Sequence, residues 1–214
     1  MMAVARRDLR RELRRGEVAW VTIPFGAVAV LAIPLAIGID VPTLNRVGPG
    51  LYWVVVLLFG VLVTVRHTAT EQGVAAVSAR LGIDPAAAYL GAATASAVLL
   101  VVFEVAVGMI AVALYDIDPE RWPWLLLVVP AVAVGLALLG TMAGSVAAGA
   151  TATNLVPFLV VPLALPLLIG ATAAFDAGLT QPGGILRWVL MLLLVDVAAL
   201  VLGVLTARQL QETG

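Results

Sequence analysis

Six apolar stretches, at about residues 18–39, 47–65, 87–115, 123–144, 155–175 and 185–206, divide this 214-residue chain. Each is long enough to cross a hydrocarbon core, which takes roughly 20 apolar residues per helix. The segments between them, such as IDVPTLNR, YDIDPER and DAGLTQPGG, carry turn formers and charges, and none could house a separate soluble domain. Within lipid every main-chain N–H and C=O must find a partner in the protein, so spans of this kind are helices. The expected fold is therefore all-α: a polytopic membrane protein with six transmembrane helices in one transmembrane domain covering 1–214. With 63% hydrophobic and 12% charged residues, the chain has too little charge to solvate a globular surface.

One span is unusual. Residues 155–177 read LVPFLVVPLALPLLIGATAAFDA, with prolines at 157, 162 and 166 and no charge before Asp176. Proline lacks an N–H and clashes with the carbonyl four residues back, at a cost of about 3 kcal/mol in a helix interior. Pro157 is harmless if Asn154 caps the helix, because it then falls in the first turn. Pro162 and Pro166 are the expected helix breakers, freeing the carbonyls of Phe158 and Pro162. In a membrane bundle, neighbouring groups or local rewinding can satisfy such carbonyls and leave a kinked wall or moving part.

Composition removes several chemistries. The chain has no cysteine, which excludes disulfides, thiolate metal sites, iron–sulfur ligation and covalent haem attachment through CxxCH. It also has no lysine, so it lacks the GxxxxGK[ST] loop of an ATP-hydrolysing site. Any ATP-driven work needs a partner.

Arginine placement sets the expected orientation. With the N-terminus inside, Arg6, Arg7, Arg10, Arg11, Arg14, Arg15, Arg66, Arg80 and Arg208 are cytoplasmic, whereas Arg46, Arg121 and Arg187 lie outside. Both termini are then cytoplasmic. All tryptophans and tyrosines fall near span ends, as in an interfacial aromatic belt. The first apolar stretch is longer than a signal-peptide core and holds Pro24 and Pro34, which favours a retained span over a cleaved leader.

Two cytoplasmic segments offer surfaces. Residues 3–15, AVARRDLRRELRR, place Leu9 and Leu13 four apart among arginines, the pattern of an interfacial amphipathic helix against lipid phosphates. Simple positive-inside anchoring accounts for it equally well. The loop between spans two and three holds Glu71, Val74, Val77, Arg80 and Leu81; if helical, its three apolar side chains share one face suited to a groove on another protein. A plain polar connector is the simpler reading of the residues alone. Gly82, then Asp84 and Pro85, read as a helix stop followed by an N-cap and first position for the third span.

Glu104 and Asp196 are the acids deepest in the membrane. Each is eleven residues from its span's outer end, Tyr115 and Ile185 respectively, or roughly 16 Å at about 1.5 Å per residue. Either they form a proton-sharing or substrate-facing pair, or they are neutral acids bonded to hydroxyls such as Thr94, Ser96 or Thr141, gluing helices together. The second reading is preferred. His67, the lone histidine, reads as a solvated interfacial residue, and Met109, Met142 and Met191 as packing. No catalytic constellation and no metal or bis-histidine haem site is discernible: no histidine or lysine at membrane depth serves Ser145 as a base. Nothing suggests a nucleic-acid partner.

Several segments together resemble one family. PLALPLLIGATAAFDA, 162–177, is similar to the proline-rich fifth span of the CcmB (haem exporter protein B) family, VGPGLYWVVVLL, 47–58, to its glycine-proline-glycine second span, and RRDLRRELRRGE, 6–17, to its basic N-terminal helix. The segment after span two departs from the family pattern, with Glu71-Gln72-Gly73 at the turn, an alanine-rich helix and alanine at position 92. The resemblance implies an ABC-2-type, non-catalytic permease subunit of the cytochrome c maturation ABC transporter in the bacterial inner membrane. It implies docking of a cytoplasmic coupling helix on a CcmA-like ATPase, proximity to a CcmC-like haem-handling membrane protein, and a functional link to a CcmE-like periplasmic haem chaperone whose loaded form is released by ATP hydrolysis. No cofactor is expected on this chain itself, ATP residing on the partner and haem being handled by the complex. Two alternatives keep the same spans: an ABC-2-type permease for a lipid or drug, and a stand-alone proton-coupled carrier built on Glu104 and Asp196.

Overall fold

The computed structural model describes residues 16, 18–38, 41–80, 84–115, 122–149, 155–180 and 184–212. The basic segment 3–15, Leu81 and Asn154 lie outside them, as do the side chains of residues 64–80, His67 included. Six α-helices follow a π-helical turn, Val18–Thr22: α1 (Ile23–Ile37), α2 (Val41–Arg80), α3 (Pro85–Leu114), α4 (Trp122–Gly149), α5 (Leu155–Thr180) and α6 (Gly184–Glu212). No strand occurs among the described residues.

Five of these helices are long and apolar enough to cross a membrane: Pro42–Val63, Pro85–Leu114, Leu125–Ala147, Phe158–Ala177 and Gly184–Gln209. The first apolar helix, Trp20–Ala36, is shorter than the expected 18–39 span. Its end is set locally. Gly38 takes φ 92°, a left-handed conformation that glycine adopts without a Cβ penalty, and its N–H bonds to the Pro34 carbonyl.

Three other expectations are revised. The glycine-proline-glycine segment lies inside α2, which begins at Val41 and carries Pro49 in its interior. The segment holding Glu71, Val74, Val77 and Arg80 is no separate coupling helix; it is the last part of the same 40-residue α2. Nor do Pro162 and Pro166 interrupt α5, which runs unbroken over 26 residues. Each carbonyl below a proline loses one donor, but the bonds on the other faces of the turn hold the helix path. The third span starts as expected, with Asp84 at the N-cap and Pro85 in the first turn, although the Asp84 side chain makes no capping bond.

Helix α4 forms the centre, packed against α2, α3, α5 and α6, while α1 lies to one side against α2 and α3. Small residues permit these approaches. A Cβ at Gly203 of α6 would run into the Tyr89 ring of α3, and one at Gly170 of α5 would come 2.9 Å from Leu192 of α6. Alanines and valines on facing helices fill the remaining space, among them Ala133, Ala137, Ala164, Ala171 and Val132, all fully buried. Outward faces are equally apolar: Leu126, Phe158 and Leu194 are more than two-thirds exposed, as lipid-facing side chains are.

The tyrosines do not form the expected interfacial belt. Tyr52, Tyr89 and Tyr115 are buried, and each hydroxyl donates to a main-chain carbonyl of another helix: to Glu104, Leu138 and Val30, respectively. A phenol that reaches inward satisfies its own polar tip and ties two helices; position near a span end does not reveal which way it points. Trp53 is likewise buried, whereas Trp20 is 82% exposed, as a belt residue should be.

Candidate functional site

Helix α2 separates two features. On one side its Tyr52 reaches α3: the hydroxyl bonds to the Glu104 carbonyl at 2.8 Å and lies where a Cβ at Gly108 would be 3.2 Å away. On the other, α2 and α5 enclose an open groove of about 380 Å³. Gly50, Trp53 and Val54 form one wall; Leu168, Ile169, Thr172, Ala173 and Asp176 form the other. Tyr52 and Trp53 pack edge to face, with ring centroids 4.9 Å apart, so adjacent residues of α2 face the buried acid and the groove.

Glu104 is fully buried, and neither carboxylate oxygen has a hydrogen-bond partner among the described residues. Asp196 is 7% exposed with one unpartnered oxygen, Oδ1, which lies against Gly135 of α4. The hydroxyls expected to hold these acids do not reach them. Thr94 and Thr141 donate instead to the carbonyls four residues back in their own helices, Leu90 and Ala137, and the Ser96 hydroxyl has no partner. In a helix the carbonyl one turn back is always within reach of a threonine hydroxyl, so the local bond wins over a distant carboxyl.

The two acids have different neighbours, α2 for Glu104 and α4 with α5 for Asp196.

Pro162 is exposed on the outer surface of α5 and Pro166 half-buried one turn on. The proposed docking residues Glu71, Val74, Val77 and Arg80 lie on the backbone of α2, beyond the span ending at Val63. The groove was legible only indirectly. Two of the three segments that carried the family resemblance line it, Gly50, Trp53 and Val54 from 47–58 and all five α5 residues from 162–177, but nothing in one-dimensional spacing pairs span two with span five.

No group of three or more His, Asp or Glu side chains able to hold a metal occurs among the described residues. The groove walls offer no histidine, methionine or tyrosine as an axial haem ligand, and their one charged group is a carboxylate, of the same sign as haem propionates.

Comparison with known proteins places these features in a lineage. The family model described as CcmB protein matches residues 1–210. Heme exporter protein B of Bradyrhizobium diazoefficiens is 26% identical over 204 residues, covering 85% of this chain and 83% of the relative. A match spanning all six helices, rather than one motif, makes this chain a member of the CcmB family.

Proposed function

We propose that this chain is the membrane permease subunit of an ATP-driven haem exporter serving cytochrome c biogenesis, and that it acts as a mechanical coupler with no active site of its own. Family membership and the relative's name support the haem-export reading. One structural observation carries the coupling reading: α2 is a continuous helix whose last 17 residues, 64–80, project beyond its apolar span. At about 1.5 Å per residue that extension is roughly 25 Å long. A helix transmits displacement along its axis far better than a loop does. Motion imposed on Val74, Val77 and Arg80 by a CcmA-like ATPase would therefore reach Tyr52 and Trp53, where α2 contacts α3 and borders the groove.

In this reading Glu71, Val74, Val77, Arg80 and Leu81 dock the ATPase, a CcmC-like protein handles haem alongside, and ATP hydrolysis releases a loaded CcmE-like chaperone. Helix α1 with its flanking residues supplies a sixth crossing. In this reading the protein lies in the bacterial inner membrane, and the arginine distribution supports cytoplasmic placement of both termini. The groove walls speak against haem being ligated in this part of the subunit, since they offer no axial ligand.

The test is affinity capture from native membranes with partner identification, comparing the native chain with a Val77→Asp, Arg80→Glu variant. Capture of an ATPase by the native chain and its loss in the variant, at equal membrane insertion, is the expected result. Haem delivery sustained by the native chain without any associated ATPase would overturn the proposal.

A further inference from the structure

The groove between α2 and α5 has a polarity gradient along the membrane normal. Its α5 wall descends from Asp176, at the end of the apolar span Phe158–Ala177, through Thr172 one turn deeper, to Leu168 and Ile169. Its α2 wall descends in parallel from Gly50 to Trp53 and Val54. One turn above Gly50, on the same side of α2, is the exposed Arg46, close to the start of the span Pro42–Val63. A carboxylate thus lines the outer end of the groove and a guanidinium stands one helical turn beyond it, both near span ends, and among the described residues neither forms an ion pair. Below them the side-chain hydrogen-bonding groups in the walls are the Thr172 hydroxyl and the Trp53 indole N–H. The groove opens on the outer surface of the bundle, where Val54 is 46% and Ile169 57% exposed.

We infer that this groove is a binding site for one membrane phospholipid with a zwitterionic, primary-ammonium headgroup. Asp176 accepts hydrogen bonds from the ammonium, Arg46 binds the phosphate, the Thr172 hydroxyl meets the glycerol-ester region, and an acyl chain lies along Trp53, Val54, Leu168 and Ile169. Charge order selects the headgroup. An anionic lipid without an ammonium would satisfy Arg46 and leave Asp176 facing further negative charge, and a cationic amphiphile without phosphate would leave Arg46 unpaired. Space in the groove depends on Gly50, which at 4.0 Å from Thr172 Cγ2 to an added Cβ leaves the upper part open. The inference is independent of what the exporter carries.

The experiment is native mass spectrometry of the purified full chain, released from nanodiscs containing equal amounts of dioleoyl phosphatidylethanolamine and dioleoyl phosphatidylglycerol. The native protein is expected to retain one phosphatidylethanolamine, at roughly tenfold preference, the scale of one charge-assisted contact. Asp176→Asn removes the charge while keeping the shape and should abolish that preference; Gly50→Leu should displace lipid of either kind. If Gly50→Leu does not fold, Ala173→Leu fills the same space from the other wall. Equal retention of the two lipids by the native protein, or an undiminished preference in Asp176→Asn, overturns the site. Because the chain has no cysteine, a single Ile169→Cys probe reports any competing occupant. Its cross-linking in membranes to a second copy, or to another polypeptide, would also overturn the lipid assignment, whereas labelling by a lipid-borne thiol reagent supports it.

Discussion

The Tyr52 hydroxyl of α2 donates a 2.8 Å hydrogen bond to the main-chain carbonyl of Glu104 in α3. It bonds to the backbone of a residue whose carboxyl has no hydrogen-bond partner among the described residues, so this contact joins helices without satisfying the acid. Its energetic weight follows from its setting: interhelical side-chain bonds in membranes average about 0.6 kcal/mol. Tyr52→Phe is therefore expected to lower unfolding free energy in mixed micelles by about that amount, with membrane insertion unchanged. A loss several times larger would mean that Tyr52 supports more than one contact.

Glu104 makes the opposite prediction. Removing two buried oxygens that have no partner removes a penalty, not a bond. Glu104→Met, similar in volume, is expected to leave stability unchanged or raise it by about 1–2 kcal/mol. Denaturant titration in micelles reads this directly, and a marked loss of stability would show that the carboxyl is bonded in the membrane. A natural protein keeps such a group at a cost, so haem delivery should fall in the same variant.

Gly203 and Tyr89 form a second coupled pair. A Cβ at position 203 would collide with the Tyr89 ring and so disturb the Tyr89–Leu138 bond as well. Gly203→Ala is expected to cost about 1–3 kcal/mol, the range for overpacking. Tyr89→Leu in the same chain should recover part of that loss. Additive losses in a double-mutant cycle would show that the two positions are independent.

The prolines of α5 test the coupling role. Pro162→Ala with Pro166→Ala restores two main-chain donors to a helix that is already continuous. Insertion and thermal stability should be maintained or improved, while haem delivery per ATP hydrolysed falls because α5 becomes stiffer. Normal delivery in the double variant would reduce the prolines to structural features.

A flexible break in α2 tests the lever. Inserting two glycines between Thr68 and Ala69 should leave ATPase capture intact, because the docking residues are untouched, and uncouple hydrolysis from delivery. Full activity after the insertion would show that motion is not carried along α2.

Much was legible from residue chemistry alone. Spans of roughly 20 apolar residues, turn formers between them and the burial rule for main-chain groups in lipid dictate an α-helical membrane bundle without reference to any structure. The start of α3 was also legible, because Asp84-Pro85 is a local signal and helix N-termini are set locally. The burial of Tyr52, Tyr89 and Tyr115 was not, since a residue near a span end can point to lipid headgroups or to a neighbouring helix with the same spacing. Nor were the neighbours of the two acids: counting from span ends gives Glu104 and Asp196 a depth but not the helices they face, which packing settles.

Sequence by itself determined that this chain is helical and membrane-embedded and that it lacks a P-loop lysine, because these follow from hydrophobic length, the cost of unpaired peptide groups in hydrocarbon and the absence of lysine. Tertiary structure alone decided which helices meet. It brought segment 47–58 against 162–177 to make one groove, gave Glu104 and Asp196 different neighbours, and joined residues 71–80 to the span of α2 as one helix. Between lipid-soluble helices, hydropathy cannot choose neighbours, since lipid is as apolar as the helices are; the choice rests on where glycines and alanines admit a facing side chain.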